Sequence, residues 1–143
     1  MVNRILGTTV ALCLLGYGVV RIGVGTLLLA QSSGIIDYPD LSDGVTEVNL
    51  FIVSRANDQI LTFSLNGYYL YIVAMGILLS AGALGIISRA RWGFKTLALY
   101  IGMHAALFVN FQEINPKILG LILQIILLLY LYYLMPAKKK FTE

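Results

Sequence analysis

Four apolar runs fill most of the chain, at residues 5–30, 67–87, 94–111 and 117–135, and short polar breaks separate the last three. The 67–87 run carries no charge, and at a helical rise of about 1.5 Å it reaches roughly 30 Å, the thickness of a hydrocarbon core. The 94–111 run has one charge, Lys95, near its start. Between these two runs lies the turn 88–95, where Arg89, Arg91 and Lys95 surround Trp92, the mixture expected at a lipid headgroup boundary. This pattern predicts a helical hairpin in a bilayer. Over the whole chain it predicts an all-α membrane protein, four transmembrane helices in a bundle forming a single domain over 1–143.

The first run follows Arg4 and exceeds the apolar core of a cleaved signal peptide. Arg21 interrupts it, and Leu28-Leu29-Ala30 lacks the small residue a cleavage site requires, so a retained helix is expected. Gly16, Gly18, Gly23 and Gly25 are expected to thin one side of it for close helix contact. The fourth run is leucine and isoleucine apart from Gly120, Gln124 and a tyrosine-rich end. Pro116 suits its first turn, and Tyr130, Tyr132 and Tyr133 form an aromatic belt before Pro136 and Lys138-Lys139-Lys140.

Residues 31–66 are the one long polar segment. Gly34, Pro39 and Gly44 are expected to break up its first part, which holds Asp37, Asp40 and Asp43. From Val45 the apolar positions Val45, Val48, Ile52, Ala56, Ile60 and Phe63 recur at spacings of three and four, which predicts an amphipathic helix or an extension of the second span. The aspartates do not make a calcium loop. Counting back from Gly44 puts Pro39 where the first acidic ligand of an EF-hand stands.

Composition agrees with the membrane. The chain is 59% hydrophobic and 12% charged, with a mean hydropathy of +0.85, and 143 residues offer no material to cover such helices in water. The net charge of +3 points to topology rather than nucleic acid. Arg4, Arg89, Arg91, Lys95 and Lys138 to Lys140 fall on one side of the four runs. Arg55 and Lys117 fall on the other, with Asp37, Asp40, Asp43, Glu47, Asp58 and Glu113. The positive-inside bias then places both termini in the cytoplasm and the 31–66 loop outside. The second half has a glycine-rich span, the Arg89-Ala90-Arg91-Trp92 turn and a tyrosine-rich end before proline and lysines. In this it resembles small four-span bacterial proteins, a generic likeness that implies the inner (plasma) membrane.

The chemistry is sparse. With one histidine, the single Cys13 and no carboxylate in any run, no catalytic residues, metal site or cofactor are expected. Ala98, Gly102, Ala106 and Asn110 recur every fourth residue and are expected to form an interface for another helix, in this chain or another. Arg21, His104 and Gln124 fall at one depth, roughly 10–13 Å from the outer ends of their runs, with Gly76 nearby to offer room. The structural reading has Arg21 reaching for the interface, Gln124 bonding across helices and His104 packed neutral. The functional reading makes them a cofactor- or lipid-binding layer in which Arg21 needs a counter-charge from Glu113, Asp58, a lipid phosphate or another protein.

Two functions follow. The first is a non-enzymatic accessory or structural subunit of a larger membrane complex, partnered by the bilayer and by other membrane subunits or copies of itself. The alternative is a binding site for a quinone, haem or lipid in the polar layer, although bis-histidine haem ligation would need a second chain. A channel or transporter has less support, because no acidic residue lies in the runs and no internal repeat is visible.

Overall fold

The computed structural model describes residues 2–112, 116 and 118–136, which fold into helices and connecting turns. The helices are α1 (Val2–Ser32), α2 (Pro39–Ser54), α3 (Leu65–Ile87), α4 (Arg91–Phe111) and α5 (Ile118–Leu134). Three of them, α1 from Asn3 onward, α3 and α4, are long and apolar enough to cross a membrane. The apolar α5 has 17 residues and is shorter than these. Glu113, Lys117 and Lys138 to Lys140 lie outside the described residues.

Local chemistry explains the helix ends. Pro39 does not break the segment; it opens α2, where its missing N–H costs nothing, and Asp40 follows in the first turn. Gly44 sits inside α2 beside α1, with Leu28 Cδ2 3.8 Å from where a Cβ would stand, an ordinary contact distance. The helix therefore begins six residues before Val45, the start that the periodicity predicts. It also ends sooner. After Ser54 the chain turns, an Arg55–Asp58 pair forms at 3.9 Å, and Gln59 folds back to donate from Nε2 to the Ile52 carbonyl at 3.0 Å. Gln59 Oε1 then accepts from the Phe63 N–H at 2.8 Å, so Ala56, Ile60 and Phe63 belong to a braced turn rather than to a helix. Ser64 starts α3 as an N-cap, accepting from the Gly67 N–H at 3.1 Å. At the far end of α3, Arg89 adopts φ 57°, while the Ala90 N–H reaches the Gly85 carbonyl at 2.8 Å and the Arg89 N–H reaches Ile86 at 2.9 Å. This left-handed closure turns the chain directly into α4.

α3 is the centre of the bundle, with α1 on one flank and α4 on the other. Both flanks depend on glycine. A Cβ on Gly18 would lie 3.1 Å from the Gly76 carbonyl oxygen, and one on Gly76 would lie 3.0 Å from the Ile22 N, so the α1 and α3 backbones nearly touch. On the other flank a Cβ on Gly85 would stand 2.5 Å from Gly93 Cα. Gly76 is consequently filled by α1 and offers no room for a ligand. Gly16, Gly18, Gly23 and Gly25 do not share a side of α1: Gly18 and Gly25 face α3, whereas Gly16 and Gly23 have nothing within 4 Å. Met75, Leu79, Ile86, Leu97, Tyr100, Leu131 and Met135 fill the space between α3, α4, α5 and α1. Leu119, Ile122, Leu129 and much of α1 remain exposed, which is unfavourable in water but neutral against lipid tails.

On α4 the four-residue repeat divides. Ala98, Gly102 and Ala106 are exposed, and a Cβ on Gly102 would meet nothing within 4 Å. Only Asn110 is buried, at 8% exposure. No helix of this chain covers the stripe among the described residues.

Candidate functional site

At the end of the bundle where α2 lies, four helices surround an open pocket of about 460 Å³. α1 contributes Arg21, α2 contributes Glu47, Val48 and Phe51, and α3 contributes Tyr68 and Ile72. α4 adds His104, Leu107, Phe108 and Phe111. Tyr68 is in the first turn of α3 and Phe111 is the last residue of α4, so this end of the pocket is aromatic. Arg21 lies eleven residues before Ser32, and His104 seven before Phe111, so both are set roughly two to three turns into the bundle.

Arg21 is held without a proper acceptor. Among the described residues its buried Nε has no partner, and its Nη2 reaches the Met75 thioether sulfur at 3.6 Å. Among the described residues it makes no ion pair; Asp58, one expected counter-charge, is bound to Arg55 instead. Glu113, the other expected partner within the chain, lies outside the described residues. A guanidinium stays charged at any accessible pH, and one placed at depth in a bilayer costs about 2.5–3.5 kcal/mol on translocon scales.

His104 is fixed from behind. Its Nδ1 lies 2.8 Å from Gln124 Oε1, a carbonyl oxygen that only accepts, so Nδ1 is the donor of this hydrogen bond. The ring packs against Phe108 at 5.6 Å and Tyr100 at 6.2 Å. Gln124 does not line the pocket. It borders a separate cavity of about 20 Å³ with Leu79, Leu97 and Tyr100, and acts on the pocket only by orienting the imidazole. The structure thus brings Arg21 and His104 into one pocket and sets Gln124 behind them.

A polar clamp and an aromatic cluster hold the α2 end together. Asn110 Oδ1 accepts from the Leu61 N–H at 2.7 Å, its Nδ2 donates to the Leu61 carbonyl at 3.0 Å, and its own carbonyl accepts from the Ile60 N–H at 3.1 Å. Phe111 meets Phe51 at 5.1 Å and Phe63 at 6.1 Å, and Phe63 meets Tyr71 at 5.5 Å. The Tyr71 hydroxyl donates to the Met103 carbonyl at 2.7 Å, joining α3 to α4. Sequence reasoning did not single out Glu47, Phe51, Tyr68, Phe108 or Phe111 for the site. Glu47 reads as one more solvated acid until the fold turns α2 over the pocket. The spacing of Val48 and Phe51, three residues apart on one helix face, was the available signal.

Fold and site define a helical protein with helices of membrane-crossing composition and a pocket walled by aromatic rings, with a cation and an imidazole set into it. Comparison with known families, curated proteins and solved structures finds no match to this chain.

Proposed function

We propose that this chain is a small integral membrane protein that binds an amphipathic ligand of the bilayer, a lipid or a quinone, in the pocket under α2. In this reading α5 also crosses, giving four spans, since about 25 Å is the lower end of a spanning length. Both termini are cytoplasmic and the 31–66 segment with α2 is external, in a bacterial inner membrane, as the basic residues around 88–95 and the acidic 31–66 segment favour. The observation that carries the binding reading is the convergence of Arg21 and His104 on one cavity of about 460 Å³, within the size range of small-molecule sites. The protein binds and presents its ligand without transforming it. Haem would find one axial nitrogen in this chain, His104 Nε2, so a bis-histidine site would need a second copy.

Native mass spectrometry of the chain purified in mild detergent tests the proposal. One bound amphiphile per chain is expected, lost when Val48→Trp fills the pocket and kept when Val53→Trp alters the exposed face of the same helix. Failure to retain or take up any amphiphile, with both variants like the parent, would end this reading.

A second reading is favoured by the open stripe Ala98, Gly102 and Ala106, which fits a subunit of a larger complex or a homo-oligomer. Gly102→Leu should leave the isolated bundle intact and dissociate any such assembly. A chain that runs as a monomer before and after the change would remove the subunit reading.

A further inference from the structure

Resting on the pocket reading, we propose that the ligand is a phospholipid whose phosphate sits on Arg21 and whose terminal hydrogen-bond donor, an ammonium or a hydroxyl, meets Glu47. The pocket wall presents two opposite kinds of polar group. Arg21 offers only donors, and its buried Nε has no acceptor in the described residues. A thioether sulfur at 3.6 Å is a weak acceptor and supplies no negative charge. A phosphodiester oxygen pair matches the planar guanidinium fork and would supply the acceptor that Nε lacks.

The remaining polar groups are His104, Glu47 and the Tyr68 hydroxyl, which can donate or accept. Gln124 Oε1 occupies Nδ1 of His104, so Nε2 is the ring nitrogen left to meet a ligand. Glu47 adds a carboxylate from α2, an acceptor. A fatty acid would satisfy Arg21 but give the Glu47 carboxylate no donor. An oxidised quinone presents carbonyl oxygens at both ends and likewise brings no donor. Phosphatidylethanolamine and phosphatidylglycerol share the needed chemistry, an anionic phosphate linked to a short arm that ends in N–H or O–H. Phe51, Phe108 and Phe111 supply the apolar wall along which the glycerol and the first methylenes would lie. Cation and carboxylate are formally balanced in the pocket, so a headgroup that answers both is favoured over one that answers the cation alone.

The test is native mass spectrometry of the delipidated full chain, titrated in turn with dioleoyl phosphatidylethanolamine, dioleoyl phosphatidylglycerol, oleate and decylubiquinone. The two phospholipids should bind one per chain, about tenfold or more tighter than oleate or decylubiquinone. Arg21→Lys keeps the charge but not the fork, and should weaken both phospholipids roughly tenfold while circular dichroism remains unchanged. Glu47→Gln should weaken the ethanolamine lipid more than the glycerol lipid if the ammonium is the group held, and leave the two equally affected if it is a hydroxyl. Decylubiquinone binding as tightly as the phospholipids, with Arg21→Lys silent, would overturn the headgroup assignment and leave the pocket reading standing. Binding of none of the four would end both. A Glu113→Gln variant that reproduces the Arg21→Lys loss would identify an internal partner for Arg21, and that also overturns the assignment.

Discussion

Asn110 shows how much one side chain does at the α2 end. Its amide makes two hydrogen bonds to the backbone of Leu61, and its own carbonyl holds Ile60. This ties the segment after α2 to the last turn of α4. Asn110→Ala would take both partners from the Leu61 backbone, and because Leu61 is 72% exposed and water can replace them in part, the cost is about 0.5–1.5 kcal/mol per bond. A thermal melt in detergent should fall accordingly, and proteolysis should cut first within 55–63. Asn110→Asp keeps one acceptor, loses one donor and should fall between the two. An unchanged melt for Asn110→Ala would remove the clamp. In the sequence this residue stands as the fourth member of the stripe begun by Ala98. Small or polar residues every fourth position mark one helix face but do not say what the face meets, and here the face meets the chain only at Asn110.

At the scale of elements, the α1–α3 contact should be the least tolerant part of the bundle, because backbone meets backbone there. Gly18→Leu or Gly76→Leu should force α1 from α3 and abolish the cooperative melt. Gly16→Leu and Gly23→Leu, on the open face of the same helix, should change it little. Equal effects from both pairs would show that α1 is packed differently. The helix boundaries of α3 and α4 were largely legible in the sequence, because apolar length and flanking charge are strong signals: 67–87 and 94–111 became Leu65–Ile87 and Arg91–Phe111. The start of α2 was not, because Pro39 and Gly44 read as breakers, while the helix uses one as its first residue and carries the other in its interior. Its end was hidden too, since Gln59 stops the periodic pattern through hydrogen bonds that spacing does not reveal.

The whole molecule places its sparse chemistry at one end. Counting residues along each run placed Arg21 and His104 at a common depth, and the fold brings both to one pocket. What the sequence could not show was the covering helix, since Glu47 and Phe51 join the site only after the chain folds back over α1 and α3. The proposed topology is tested by cysteine labelling in a background without Cys13. Ser42→Cys should react from outside intact cells, and Thr142→Cys only after permeabilisation. The reverse pattern would invert the orientation and move the pocket to the cytoplasmic leaflet. The central claim, that this pocket and not the bundle's general surface holds a membrane amphiphile, is tested most directly by photo-crosslinking the chain to a phospholipid carrying a diazirine near its headgroup. Adducts concentrated on α2 and the last two turns of α4, around Phe51, Phe108 and Phe111, and lost in Val48→Trp, are the predicted result. Adducts spread over the exposed residues of α1 and α5, and unaffected by Val48→Trp, would contradict it.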